Sequence, residues 1–455
     1  MAEFMNGKTT SVALTEHLLE QQESYLDLNM FIWIDENRAL EAAHLADLHR
    51  DHSPLHGLPI AVKDNIHAVG FANSAGTRCL HDFLPAEDAE MVSRLRAAGA
   101  FVLGKTNLHE LAFGVTSANP IYGYVKNPSD HQRFAGGSSG GTAAAIASGS
   151  AIAGLGTDTG GSLRIPASLT GTAALRPTVG RYSTRGVTPL SPTRDTVGPM
   201  AKTVRDLEIL DHVLVLEGSD TRVSSKGTDI SLGVPDAFFA DSLHPDTAAA
   251  WARALDMLER GGVQLLDVET PSFDVVESEI GRPISLFEAR EWLLPYLQQA
   301  TDLDVGAIIE LIATPDVRRA FSELIRPGGR ENYSLPRYQK AMSDRTSIVQ
   351  AWYGKVFGDG TIQALIFPTT PCPAGRLDRD LETVDRGNGL RSPTFGTYIR
   401  NTCPGSVAGV PGISLPIPVA EGQLPVGLAL DGAWGSDRLL LGIGKVLEEL
   451  LVDGR

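Results

Sequence analysis

The sequence predicts an α/β fold whose strand-rich ends share one sheet around a helical insertion in its second half. Three observations carry this expectation. Up to about residue 215, short apolar runs that read as strands alternate with amphipathic helical periods. From there to about 360, helical periods dominate and aromatic residues gather. From "ALIFPTTPCPAG" (364–375) onward the short apolar strands return. The strand-rich ends are expected to share one sheet, giving a single domain over 1–455. Its core segment spans about 50–215, its insertion about 240–360, and strands and a helix at 361–455 complete the core.

The elements follow in order. Amphipathic helices are expected at 11–25 and 36–49, and "HGLPIAVKDNI" (56–66) reads as an apolar strand ending at Lys63 in a polar turn. Residues 88–98 are helical, and "AFVLGKTN" (100–107) is a buried strand. "GGSSGGTAAAIASGSAIAGLGTDTGGSLRIPAS" (136–168) then gives a glycine loop, a helix at 142–148, a strand at 151–156 and a second glycine loop. Glycine clusters cost chain entropy on folding and mark backbone that must approach something closely. The insertion carries helical periods at 245–260, 285–299, 317–325 and 335–357. Its aromatics, including Phe287, Trp292, Tyr296, Phe321, Tyr338, Trp352 and Tyr353, read mostly as packing between helices, with one or two of these lining a ligand pocket. "RLLLGIGKVLEELL" (438–451) is a closing helix.

Composition narrows the function. A net charge of −16 would repel nucleic acid and anionic membranes. The N-terminal stretch lacks a basic region followed by an apolar one, so no signal peptide is expected, and no apolar run is long enough to span a bilayer. Cys79, Cys372 and Cys403 are odd in number and lack metal-type spacing, which fits buried thiols in a reducing cytoplasm. The eleven histidines are scattered, so no metal site is expected.

Several motif matches fail on physical grounds. Residues 99–106 fit G-x-x-x-x-G-K-[ST], yet their middle Ala, Phe, Val and Leu want a buried strand rather than a loose phosphate cradle. Residues 136–140 fit G-x-S-x-G, but a polar, turn-rich segment precedes them where a nucleophile elbow needs an apolar strand. The elbow also needs a late histidine, and the last one here is His244. "GLGTDTG" (154–160) is one residue too long for a dinucleotide fingerprint.

The geometry of 136–168 supports different chemistry. A helix of eight to ten residues rises about 13 Å, and a strand of five or six residues returns about as far. The loops at 136–141 and 156–161 should therefore finish at one end of the fold, bringing Ser138 or Ser139 beside Ser162. Successive N–H groups at Gly160, Gly161 and Ser162 could form an oxyanion hole; the plainer alternative is a turn with an N-cap serine. A serine hydroxyl needs a base, and a desolvated lysine is the alternative to histidine because burial lowers an ammonium's pKa. Lys63 and Lys105 both end apolar strands, and composition does not rank them.

Taken together, "GLPIAVKDN", "GGSSGG" and "GTDTGGSLRIPAS" resemble the amidase signature family of serine amidases. The likeness continues through "LHELAFGVTSANPIYG", "KNPSDHQRFAGGSSGG" and "AGVPGISLPIPVAEGQLPVGLAL". The resemblance implies a large mixed β-sheet core covered by helices on both faces, with Ser162 as nucleophile, Ser138 after a cis peptide bond as proton bridge, and Lys63, rather than Lys105, as neutral base. It also implies Thr159, Gly160, Gly161 and Ser162 as oxyanion donors, with Ser139, Asp158 and Arg164 in support, and neither metal nor organic cofactor. Within the family, "GRYSTRGVTPLSPTRDTVGPM" (180–200) and "HELAFGVTSAN" are most similar to the indoleacetamide hydrolases, with mandelamide hydrolases close behind. Phe113 and Ser191, Thr193 and Asp195 of the following loop are then expected in the substrate pocket, with the insertion on the substrate side. Small aliphatic amides, or glutamine in an aminoacyl-tRNA amidotransferase A subunit with obligate partners, are the alternative substrates. The expected partners are a small-molecule amide and, at most, a second copy in a homodimer.

Overall fold

Eleven strands of the computed structural model form one mixed sheet. It describes residues 1–455 except 2, 3, 5, 50–52, 216–229, 236, 378–380, 388 and 454–455. In chain order the strands are β1 (Phe31–Ile34), β2 (Pro59–Lys63), β3 (Phe101–Thr106), β4 (Ala153–Asp158), β5 (Ala173–Arg176) and β6 (Thr196–Ala201). Next come β7 (Ser231–Pro235), β8 (Gln264–Val268), β9 (Ala364–Pro368), β10 (Gly412–Ile417) and β11 (Val426–Asp431). Their order across the sheet is β1-β3-β2-β4-β6-β5-β10-β11-β9-β7-β8. β2 runs parallel to both neighbours, as does β7, and the other pairs are antiparallel. The two ends of the chain meet where Gly412 of β10 faces Arg176 of β5.

Period-two alternation sends each strand's side chains to opposite faces. Ile60, Val62, Leu155, Val197 and Leu415 pack in one cluster with Leu207 and Leu210 of the helix Val204–Leu214 and with Leu440, Ile443 and Leu447 of the closing helix Asp437–Asp453. Ala61, Ala174 and Met200 pack in another with Ala143–Ile146 of the helix Gly140–Ser148. Lys63 follows Ala61 by two residues and so emerges on the face of that small-residue helix.

The segment in which helical periods dominate also contributes two strands, β7 and β8. The helix Pro245–Arg260 forms as the periodicity predicts, but "QLLDV" after it is β8, paired in parallel with β7 at the sheet edge. The periods at 285–299 and 335–357 are continuous helices over 282–301 and 335–357, each interrupted by a π turn, at Ala289–Leu293 and Arg345–Gln350. The insertion docks Leu286, Leu293, Leu297, Phe321 and Ile325 against Ala75, Leu80 and Leu111. Among the described residues no helix is long and apolar enough to cross a membrane.

Candidate active site

Lys63 ends β2 fully buried, and its Nζ lies 2.8 Å from Ser138 Oγ and 2.8 Å from Thr157 Oγ1. No carboxylate comes within 4 Å of it among the described residues. Burial pushes its ammonium from 10.5 down to about 7, only partly opposed by the more distant Asp158 and Asp195. Asn65 Nδ2 donates to Thr157 Oγ1 at 3.1 Å, fixing the hydroxyl that faces the amine. Lys105, the other strand-end lysine, is equally buried but pairs with Asp64 at 2.9 Å. Burial lowers its ammonium too, and there a carboxylate in contact opposes the shift.

The two glycine loops meet. Ser139 N–H donates to Ser162 O at 3.1 Å, and Ser139 Oγ donates to Thr157 O at 3.1 Å. The Gly137–Ser138 peptide is cis, and Ser138 O accepts from His109 N–H at 3.2 Å and Ser117 Oγ at 3.3 Å. In the second loop Gly161 takes a φ of +142°, and a Cβ there would overlap Thr402 Oγ1, so only glycine serves. The N–H groups of Thr159, Gly160, Gly161 and Ser162 donate to no protein acceptor among the described residues.

A buried ion cluster anchors the second loop from behind. Asp158 accepts from Arg164 Nε at 3.1 Å, Arg176 Nη1 at 2.9 Å and Leu163 N–H at 3.2 Å. Burial alone would raise this carboxyl, but Arg164 and Arg176 overcome it and hold the group well below the usual range. Arg164 also donates to Thr402 O and Ser406 Oγ, tying the loop to the C-terminal half.

A cavity of about 340 Å³ opens over the loop. Thr159, Gly160, Gly161 and the half-buried Ser162 form one wall; Phe113, Ile165, Leu190, Leu286, Phe395 and Ile399 supply apolar walls. Phe113, expected in the substrate pocket, lines this cavity. Ser191, Thr193 and Asp195 do not line the cavity and stand one layer behind it. Asp195 is spent on bonds from Thr159 Oγ1 at 2.5 Å and the Leu190 and Ser191 N–H groups at 2.8 Å. Ser191 and Thr193 hydroxyls bind the Glu288 carboxylate at 2.7 and 2.9 Å. The seven insertion aromatics named from the sequence do not line it either. Phe321, Trp352 and Tyr353 instead complete the cores beneath it.

Sequence reading missed Thr157, Asn65, Arg176 and Arg194. The first two become neighbours of Lys63 only because β4 lies beside β2, and no local pattern distinguishes them. Among the described residues no group of three His, Cys, Asp or Glu is placed to hold a metal.

Comparison with known proteins gives one picture. The amidase family model matches residues 13–441. The chain is 38% identical to a mandelamide hydrolase of Pseudomonas putida, over 98% of this chain and 89% of that protein. It is 36% identical to an indoleacetamide hydrolase of Agrobacterium vitis, over 96% and 93%. A crystal structure of an amidase superposes with a TM-score of 0.86 at 33% identity, covering 99% of this chain and 98% of that one.

Proposed function

Because this chain belongs to the amidase family and is a hydrolase of amide C–N bonds, we propose that it cleaves a primary carboxamide through an acyl-enzyme on Ser162. Ser162 Oγ attacks the carbonyl, giving its proton to Ser138 Oγ while Ser138 gives its own to the neutral Lys63 Nζ. The carbonyl oxygen becomes an oxyanion held by the N–H groups of Thr159, Gly160, Gly161 and Ser162. The proton returns from Lys63 through Ser138 to the nitrogen leaving as ammonia. Water then repeats the relay, cleaving the ester to carboxylate and free serine. Ser139, Asp158 and Arg164 hold the two loops in register.

The observation that carries this reading is Lys63: a buried amine whose pKa falls to about 7, in contact with a serine hydroxyl and facing no carboxylate. Such a group is half neutral near pH 7 and suited to take a proton there. The substrate we infer is an arylacetamide such as indole-3-acetamide, giving indole-3-acetate. Phe113, Phe395, Leu286 and Ile399 on the cavity walls suit an aromatic ring, and the named relatives act on amides of this kind.

Purified protein alone should release ammonia from indole-3-acetamide, and Ser162→Ala should abolish the release while leaving the far-UV spectrum unchanged. Ammonia from glutamine only after partner subunits are added would refute the arylacetamide reading.

A further inference from the structure

Among the described residues, one buried side chain of the cavity keeps donors that no strong acceptor takes up. Arg194 lines the cavity and is 2% exposed. Its Nη1 donates to Gly281 O at 2.8 Å and Ser285 Oγ at 2.7 Å. Its Nε meets no acceptor, and Nη2 has only Cys403 Sγ, at 4.0 Å. No carboxylate lies within 4 Å of this guanidinium among the described residues. The other two deeply buried arginines of the region behave differently: Arg164 and Arg176 share the Asp158 carboxylate. A buried cation without a counter-ion is costly, and its unused N–H groups are a site for an acceptor that arrives from outside.

The position of Arg194 says where on the substrate that acceptor belongs. A Cβ built on Gly160 would lie 3.7 Å from Nη2, so the guanidinium stands beside the loop that faces the scissile carbonyl. Phe113, Phe395 and Leu286 occupy walls of the same cavity and take the apolar end. The guanidinium therefore shares one cavity with both the loop and the apolar walls.

Building on the amide-hydrolase reading of this site, we propose that Arg194 recognises an oxygen on the carbon next to the substrate's amide, a hydroxyl or a carboxylate, and so makes the enzyme favour arylacetamides that carry one over those, indole-3-acetamide included, that do not. A site built to donate to an oxygen discriminates strongly against the analogue that lacks it, because its donors are then left unpaired.

The test compares kcat/KM for three substrates that differ at one carbon: 2-phenylacetamide, its 2-hydroxy derivative and its 2-carboxy derivative. The wild type should favour one oxygen-bearing substrate over phenylacetamide by about 10- to 100-fold, and which one distinguishes hydroxyl from carboxylate. In Arg194→Met that ratio should fall to within about threefold of unity, and Arg194→Lys should keep part of it, since charge remains but the fork is lost. A wild-type ratio near one overturns the proposal, whether or not the variants fold. An equal loss on all three substrates also overturns it, because Arg194 would then act on the amide they share. If the wild type hydrolyses none of the three, the arylacetamide reading itself fails and the inference falls with it.

Discussion

Replacing Lys63 by Met should abolish hydrolysis without destabilising the fold near neutral pH. Lys63 is fully buried, and burial brings its ammonium from 10.5 down to about 7. That gap corresponds to roughly 5 kcal/mol against folding, at about 1.4 kcal/mol per pH unit. The folded value lies below the unfolded one, so the cost is fully present below about pH 7, where both states hold the proton. Between about 7 and 10.5 only the unfolded chain holds it, stability rises with pH, and above 10.5 the cost is gone. Met is similar in length and carries no charge. Against its gain stand the contacts of Nζ with Ser138 and Thr157, worth about 1 kcal/mol each, and a Ser138 hydroxyl left unpaired at about 1–3 kcal/mol. The variant should therefore match or exceed the wild type, by about 0–2 kcal/mol, at and below neutrality, and its stability relative to the wild type should fall by about 1.4 kcal/mol per pH unit above about 7. Urea denaturation of both proteins from about pH 6 to 9 reads this difference directly. In parallel, wild-type kcat/KM should rise about tenfold per pH unit up to about 7 and then level off. A variant less stable than the wild type by an amount that does not change with pH, or one that still hydrolyses amides, would refute the reasoning.

Lys105→Met should do the opposite. It leaves Asp64 buried and unpaired, costing about 3–5 kcal/mol in urea denaturation, while the folded fraction keeps hydrolysing with the same pH midpoint; a displaced midpoint would implicate Lys105 in proton transfer. Asp158→Asn removes the carboxylate shared by Arg164 and Arg176 and should also cost about 3–5 kcal/mol. Since the folded Asp158 value lies below the unfolded one, its contribution is present above about pH 4 and lost on further acidification. The wild type should therefore lose stability steeply there and the variant much less.

Several parts of the molecule are legible in the chain because local rules govern them. Pro at the first turn and a full apolar stripe make Pro245–Arg260 a helix whatever surrounds it. The two glycine loops likewise follow from the length of the helix and strand between them, and Ser139 indeed bonds Ser162. β8 was not legible: five residues with a mixed pattern become a strand only because β7 offers a parallel edge. The 191–195 loop misleads for a related reason. The resemblance placed Ser191, Thr193 and Asp195 in the pocket, but Thr159 and Glu288 take up their polar groups a layer away from the cavity.

The sequence by itself determined the sheet-and-helix architecture, the pairing of the two serine loops and the presence of two lysines at strand ends. Tertiary structure alone decided how those lysines differ. β2 and β3 carry the same local message, an apolar run closed by a lysine, and residue pattern cannot say what each Nζ will meet. Lys105 meets a carboxylate at 2.9 Å, which opposes desolvation of its charge. Lys63 meets two hydroxyls, which do not compensate for the water it has lost, and so its proton is held loosely near pH 7.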